Sequence, residues 1–304
     1  MISTLTGNNS YLLKRRLDEL TAEFVKKYGE FSLERIDAES VSSEAILDAV
    51  QSQPFLSIRK MVVVRDLFAN KPAAEAIEQI ISSISESTDL VIYEPATDKR
   101  TTFYKTLKSK TQLEEYTELD ARGLAKWLAD EAKSRGGELS YANANYLVER
   151  VGSNQALLAN ELEKLLIYEP KISRASIDIL TEPTPQSKIF ELLDAAFTGN
   201  KKRALKLYDE QRVQRVEPQA ILAMIGWQLR LIALAKHAGS RKSAQIAKDT
   251  GMNPYPIDKA VGLAGKISEK QLNGMVSEAL DIDYRGKSTS LDMDEALKTY
   301  IATL

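Results

Sequence analysis

Arg59-Lys60-Met61-Val62-Val63-Val64-Arg65-Asp66-Leu67 is the stretch on which the reading of this chain turns. Four apolar residues run without interruption between charged flanks. A run that short and continuous suits a strand buried on both faces, the kind found in parallel sheets. Leu90-Val91-Ile92-Tyr93 is a second such run. Outward from these two, Ile2 to Thr6 reads as a strand ending at Gly7, Phe31 to Ile36 as another, and Leu113 to Tyr116 as a weak one. Helical patterns fill the gaps. Leu12, Leu13, Leu17, Leu20 and Phe24 form one stripe, Ser43 caps a helix carrying Ile46, Leu47 and Val50, and Pro72 to Ile84 and Phe103 to Leu107 are helical. Strands alternating with helices predict a parallel five-stranded α/β domain over residues 1–118.

Beyond Leu119 the strand-like runs largely disappear. Ala121 to Arg135, Tyr141 to Val151, Asn154 to Tyr168 and Ile172 to Leu180 read as helices, so residues 119–185 predict a small helical domain. Thr181-Glu182-Pro183-Thr184-Pro185 reads as a linker, because two prolines stop helix propagation. Residues 186–304 are again helical, broken at Gly199-Asn200, Val216-Glu217-Pro218, Gly239-Ser240 and Gly251 to Pro256. Trp227 falls on an apolar stripe with Ile225, Leu229, Leu231 and Leu234 and is assigned to the core, and Tyr255 to a loop.

Composition closes off several chemistries. With no cysteine, disulfides, thiolate catalysis and cysteine-ligated zinc are excluded. His237 is the single histidine, which rules out a multi-histidine metal site and argues against a Ser-His-Asp triad; no catalytic residue or metal ligand is nominated. The net charge of −2 creates no global field for nucleic acid. Lys14-Arg15-Arg16, Lys201-Lys202-Arg203 and Arg241-Lys242 are short basic clusters, read as solvated faces or as phosphate contacts. No window of about 18 apolar residues suggests a membrane span. Met1-Ile2-Ser3-Thr4-Leu5 lacks the pattern of a secretory leader, so a cytoplasmic location is expected.

The turn after the first strand is where an ATPase would hold phosphate. Such a loop needs Gly, four residues, then Gly-Lys-Ser/Thr, so that backbone N–H groups wrap the phosphates and the lysine neutralises charge. Gly7 is in place, but after Asn8, Asn9, Ser10 and Tyr11 the three diagnostic positions hold Leu12, Leu13 and Lys14. Lys14 comes one residue late, a rotation of about 100° on a helix. No nucleotide cofactor is expected there. Asp66 at the end of the third strand lacks the following glutamate that would orient a hydrolytic water.

Several blocks, in order along the chain, resemble one family. The first strand with Gly7 and Tyr11 is similar to its hhhxGxxxYL start. Ser52 through Val64 resembles its PFF-x-x-RR-hVVV segment, with Ile58 departing from the usual acidic residue or serine. Ala144 to Leu147, Val151-Gly152 and Leu158-Ala159-Asn160-Glu161-Leu162-Glu163-Lys164-Leu165 resemble an AxxL…vG…L-x-NELEKL signature. Phe190 to Ala195 resembles the start of a third domain, and Asp283 to Lys287 a late D-x-x-x-K helix. The family is the delta subunit of the bacterial DNA polymerase III clamp loader, an AAA+-like family. The resemblance implies a subunit that does not itself hydrolyse ATP, with a lid domain at 119–185 and a collar domain at 186–304. Its partners would be the beta sliding clamp, the gamma/tau motor subunits and delta-prime, with primer–template DNA inside the assembly. The related delta-prime subunit often carries zinc-binding cysteines, which are absent here.

Phe55 and Leu56 are the pair this resemblance singles out. They follow Pro54, which ends a helix and fixes the entry angle, and they precede a buried strand. They read either as an exposed apolar wedge or as core beneath the sheet. The resemblance favours the wedge, which would enter a clamp pocket and weaken the ring's dimer interface. Arg59 and Lys60 read as steering charges toward an acidic rim or as a solvated basic pair. Two other classes of function stay open: an ATP-binding AAA+ enzyme with a divergent phosphate loop, and a helical nucleic-acid-binding module.

Overall fold

The computed structural model describes residues 1–95 and 97–304. The chain divides into two compact units, Met1–Glu118 and Leu119–Leu304. The first is a parallel five-stranded sheet of β1 (Ile2–Thr6), β2 (Leu33–Asp37), β3 (Lys60–Arg65), β4 (Thr88–Glu94) and β5 (Gln112–Glu115), in the spatial order β2-β3-β4-β1-β5. The helices between them are α1 (Ser10–Tyr28), α2 (Ser43–Gln51), the short α3 (Lys71–Glu75) and α4 (Ile77–Ser82), and α5 (Thr102–Lys110).

The valine run divides its side chains between two layers, as the two-residue period of a strand demands. Met61 and Val63 join Leu5, Leu13, Leu20, Phe24 and Val91 on the face covered by α1. Val62 and Val64 join Ile46, Val50, Ile77, Ile80, Leu90 and Ile92 on the other face. Every residue of β4 is buried. Burying one such aliphatic side chain contributes roughly 1.5–3 kcal/mol, so the adjacent strands β3 and β4 hold the layers together.

Local details depart from expectation. The stretch read as one helix over 72–84 breaks at Ala76 into α3 and α4. Alanine is the best helix former, so no propensity marks that break. The cap of α2 is Ser42, whose hydroxyl accepts the Ala45 N–H at 3.2 Å, and Ser43 is the first helical residue. Phe31 lies in a turn (Glu30–Ser32), two residues before β2 begins.

In the second unit, α6 (Ala121–Ser134), α7 (Tyr141–Val151), α8 (Gln155–Tyr168) and α9 (Arg174–Leu180) surround a core that includes Leu128, Leu147, Leu162 and Ile177. A small parallel pair, β6 (Glu138–Leu139) with β7 (Lys171–Ile172), links them. A second core gathers α10 (Pro185–Phe197), α11 (Lys201–Val213), α12 (Pro218–Ala238), α13 (Ser243–Thr250), α14 (Pro254–Ala264), α15 (Glu269–Ser288) and α16 (Met293–Thr303). By length and composition α12 could cross a membrane, contrary to the sequence reading. Its buried residues include Ile221, Ile225, Leu229 and Ile232, and they form part of this helical core. Trp227, assigned to that core, is 36% exposed. Tyr255, assigned to a loop, opens α14. Asn253 accepts its N–H at 2.9 Å, and its buried hydroxyl donates to the Val148 carbonyl at 3.1 Å.

Glu94, the last residue of β4, is buried, and its carboxylate accepts the Phe68 N–H at 3.0 Å. Burial pushes its pKa up to about 7, the nearby Asp66 charge adds to this, and the N–H donors oppose it. The native state therefore keeps a proton that the unfolded chain releases above pH 4.5, so stability falls as pH rises from there to about 7. Glu94→Gln keeps the acceptor and removes the charge. It should stabilise the protein at pH 8 by on the order of 2 kcal/mol and make no difference below pH 4, as read by urea denaturation at the two pH values. Equal gains at both pH values would contradict the assignment.

Candidate functional site

The turn after β1 is closed by the chain's own backbone. Gly7 has φ +122°, and a Cβ added there would lie 1.9 Å from the Tyr116 carbonyl oxygen. Tyr116 donates its N–H to the Thr6 carbonyl at 2.8 Å and accepts the Asn9 N–H at 3.1 Å. The Asn9 side chain caps α1 by accepting the Leu12 N–H at 3.0 Å and donates to the Thr117 carbonyl at 3.2 Å. The Asn8 side chain accepts the Glu118 N–H at 2.9 Å. Groups that would cradle a phosphate are thus engaged with residues 116–118. Leu13, at the position of a phosphate-loop lysine, is fully buried against the sheet, while Tyr11 and Leu12 are half-buried and Lys14 points to solvent.

The opposite end of the sheet carries the apolar pair. Helix α2 ends at Gln51, and an irregular segment leads into β3. On that segment Phe55 is 96% exposed, Leu56 69% and Ile58 82%, beside a half-buried Pro54. None of the three packs beneath the sheet. Phe31, 88% exposed, stands at the same end of the neighbouring strand, since the register pairs Leu33 with Met61. The sequence reading omitted Ile58 and placed Phe31 in a strand. The signal available was Gly29, which turns the chain with φ +88° just before Phe31.

The basic pair does not project with the apolar side chains. Arg59 pairs with the Asp89 carboxylate at 2.8 Å, an oxygen that the Met1 nitrogen also meets at 2.5 Å. Lys60 is 7% exposed; its ammonium donates to the Ala49 carbonyl and, at 2.7 Å, to the Ser52 hydroxyl, with the Glu34 carboxylate 3.7 Å away. It therefore caps the last turn of α2, where unpaired carbonyls and the helix dipole favour a cation. Among the described residues there is no cluster of three or more groups able to hold a metal.

Comparison with known proteins identifies the family. The family model described as DNA polymerase III, delta subunit matches residues 4–117, and the model of that subunit's C-terminal domain matches 186–304. The chain belongs to the DNA polymerase III delta-subunit family. Between the two delta-subunit matches, a model described as a middle domain covers residues 121–179. A curated relative, DNA polymerase III subunit delta of Bacillus subtilis, is 24% identical over 99% of this chain and 91% of its own length. A solved structure, the Bacillus subtilis DNA clamp loader delta protein, superposes with TM-score 0.82 over 99% of this chain and 94% of that one, at 22% identity. The delta-subunit fold, here a parallel five-stranded sheet followed by helical regions, is thus the fold of this chain. A Thermotoga maritima RuvB variant aligns at TM-score 0.38 and 11% identity over 90% of this chain and 86% of its own, too low to add to the argument.

The Gly7 geometry makes a sharp prediction. Gly7→Ala forces a side chain into the Tyr116 carbonyl and a left-handed φ onto alanine. It should cost more than about 2 kcal/mol, seen as a lowered urea midpoint, whereas Asn8→Ala on the same turn should cost under about 1 kcal/mol.

Proposed function

We propose that this chain is the clamp-opening subunit of a bacterial clamp loader, engaging the beta sliding clamp through Phe55 and Leu56. The near-complete exposure of Phe55 carries the reading. A soluble protein does not leave two adjacent large apolar side chains and a third close by in water without a partner surface to bury them. Seated in an apolar pocket, anchors of this kind supply most of the binding energy of an interface. Pro54, three residues beyond the end of α2, restricts the backbone just before them, and Ile58 and Phe31 extend the apolar surface around them. Binding energy taken up at the edge of a ring interface can weaken that interface, which is how a protein without catalytic groups opens a closed ring.

In this reading the chain neither binds nor hydrolyses ATP. The motor subunits gamma/tau supply that chemistry, delta-prime completes the ring of subunits, and primer–template DNA occupies the assembled chamber. Residues 1–118 carry the clamp-binding element, 119–185 act as a lid, and 186–304 contribute to a collar. The assembly works in the cytoplasm.

Two measurements test the proposal. Phe55→Ala with Leu56→Ala should weaken binding to the cognate beta clamp about 100-fold by surface plasmon resonance, with the thermal midpoint unchanged. Unchanged affinity would remove the clamp reading. Calorimetric titration of the isolated chain with ATP should give no saturable heat up to about 1 mM, a level at which a working phosphate loop would be well occupied. A stoichiometric isotherm would favour the ATP-binding alternative.

A further inference from the structure

The segment that carries Phe55, Leu56 and Ile58 lacks helix or strand, yet it is tied at both ends. At its start the Gln53 amide donates to the Ser85 hydroxyl at 3.1 Å and accepts from Ser87 at 2.8 Å, on the stretch leading into β4. At its end Arg59 pairs with Asp89, and the Ser57 hydroxyl donates to the Arg59 carbonyl. The buried ammonium of Lys60 joins the first residue of β3 to the last turn of α2. Burying a lysine is costly unless its charge is met by partners, and here carbonyl, hydroxyl and carboxylate all converge on it. From sequence, Arg59 and Lys60 read either as steering charges for a partner or as a solvated pair. The structure directs both inward.

We propose that Lys60, with the Arg59–Asp89 pair, is a positioning element: it holds segment 54–58 in its binding-ready shape and sets clamp affinity without touching the clamp. This rests on the clamp-binding reading above. A segment free to wander would have to be ordered on binding, and the ordering entropy would be subtracted from the affinity. Charges that are enclosed or already paired also project little field, so they contribute little to long-range steering. A positioning role and a steering role therefore predict opposite salt behaviour.

The experiment uses the full chain and the cognate beta clamp. Lys60→Met, which keeps the apolar stem, should weaken binding about 10-fold, while Lys60→Arg retains the charge and stays within about 2-fold. The Lys60→Met loss should be the same at about 50 and about 500 mM salt, a range over which a steering effect would collapse. It should also shrink in a Phe55→Ala background, because the lysine then has less to position. Should Lys60→Met fail to fold by circular dichroism, Gln53→Ala carries the test, with an expected loss of about 3-fold. Wild-type affinity in the folded variants, a loss confined to low salt, or full additivity with Phe55→Ala would each overturn the proposal. If Phe55→Ala with Leu56→Ala already leaves clamp affinity intact, the clamp reading itself falls. If that pair abolishes binding while Lys60→Met does not weaken it, only the positioning role falls.

Discussion

The close approach of the Tyr116 carbonyl to Gly7 is the constraint on which this molecule's character depends. It fixes why residue 7 is glycine, since any side chain would overlap that oxygen. It also fixes what the turn after β1 can do. A backbone N–H that donates to no phosphate must find another acceptor or stay solvated, and the Asn9 N–H finds the Tyr116 carbonyl. With Leu13 buried where a lysine would have to reach outward, restoring a phosphate grip would need a repacked core as well as a rebuilt loop. The turn after β1 is held as a rigid support by the chain's own backbone.

A parallel sheet has two chemically distinct ends, and here they have diverged. The carboxyl ends of β1, β3 and β4 carry Gly7, Asp66 and Glu94, held among backbone amides and neighbouring side chains. The amino ends of β2 and β3 carry Phe31, Phe55, Leu56 and Ile58, exposed to water. A strand of five or six residues separates the two ends by roughly 15–20 Å. Ligand-directed chemistry in open α/β sheets belongs at the carboxyl end. The exposed apolar surface at the other end is suited to protein contact, with the stiffness of β3 and β4 standing behind it.

Much of the fold was legible because the sheet is simple physics. Met61 to Val64 and Leu90 to Tyr93 are apolar without alternation since both faces of those strands are covered, and the sequence states this directly. The glycine and proline punctuation likewise marked the helical regions. What escaped notice depends on tertiary partners. The pairing of Glu138–Leu139 with Lys171–Ile172 is two residues long and leaves no period to detect. Tyr255 is buried because its hydroxyl meets the Val148 carbonyl, more than a hundred positions away. At the candidate site, Pro54, Phe55 and Leu56 could be singled out, but the inward turn of Lys60 could not. A lysine at the start of a strand looks the same whether its ammonium faces water or the end of a helix eight or more residues earlier.

Exposure and anchoring divide the site into two kinds of residue with different thermodynamic consequences. Phe55, Leu56 and Ile58 have little buried surface to expose on unfolding, so changing them leaves the folding equilibrium almost untouched, and under the proposed reading only partner affinity moves. Lys60 and Asp89 are enclosed, so changing them disturbs the native state and the shape of the segment together. The sequence of the protruding tip is then free of the demands of folding, while its base is held by them. The departure at Ile58 falls on the tip and the buried lysine falls on the base, as that division requires.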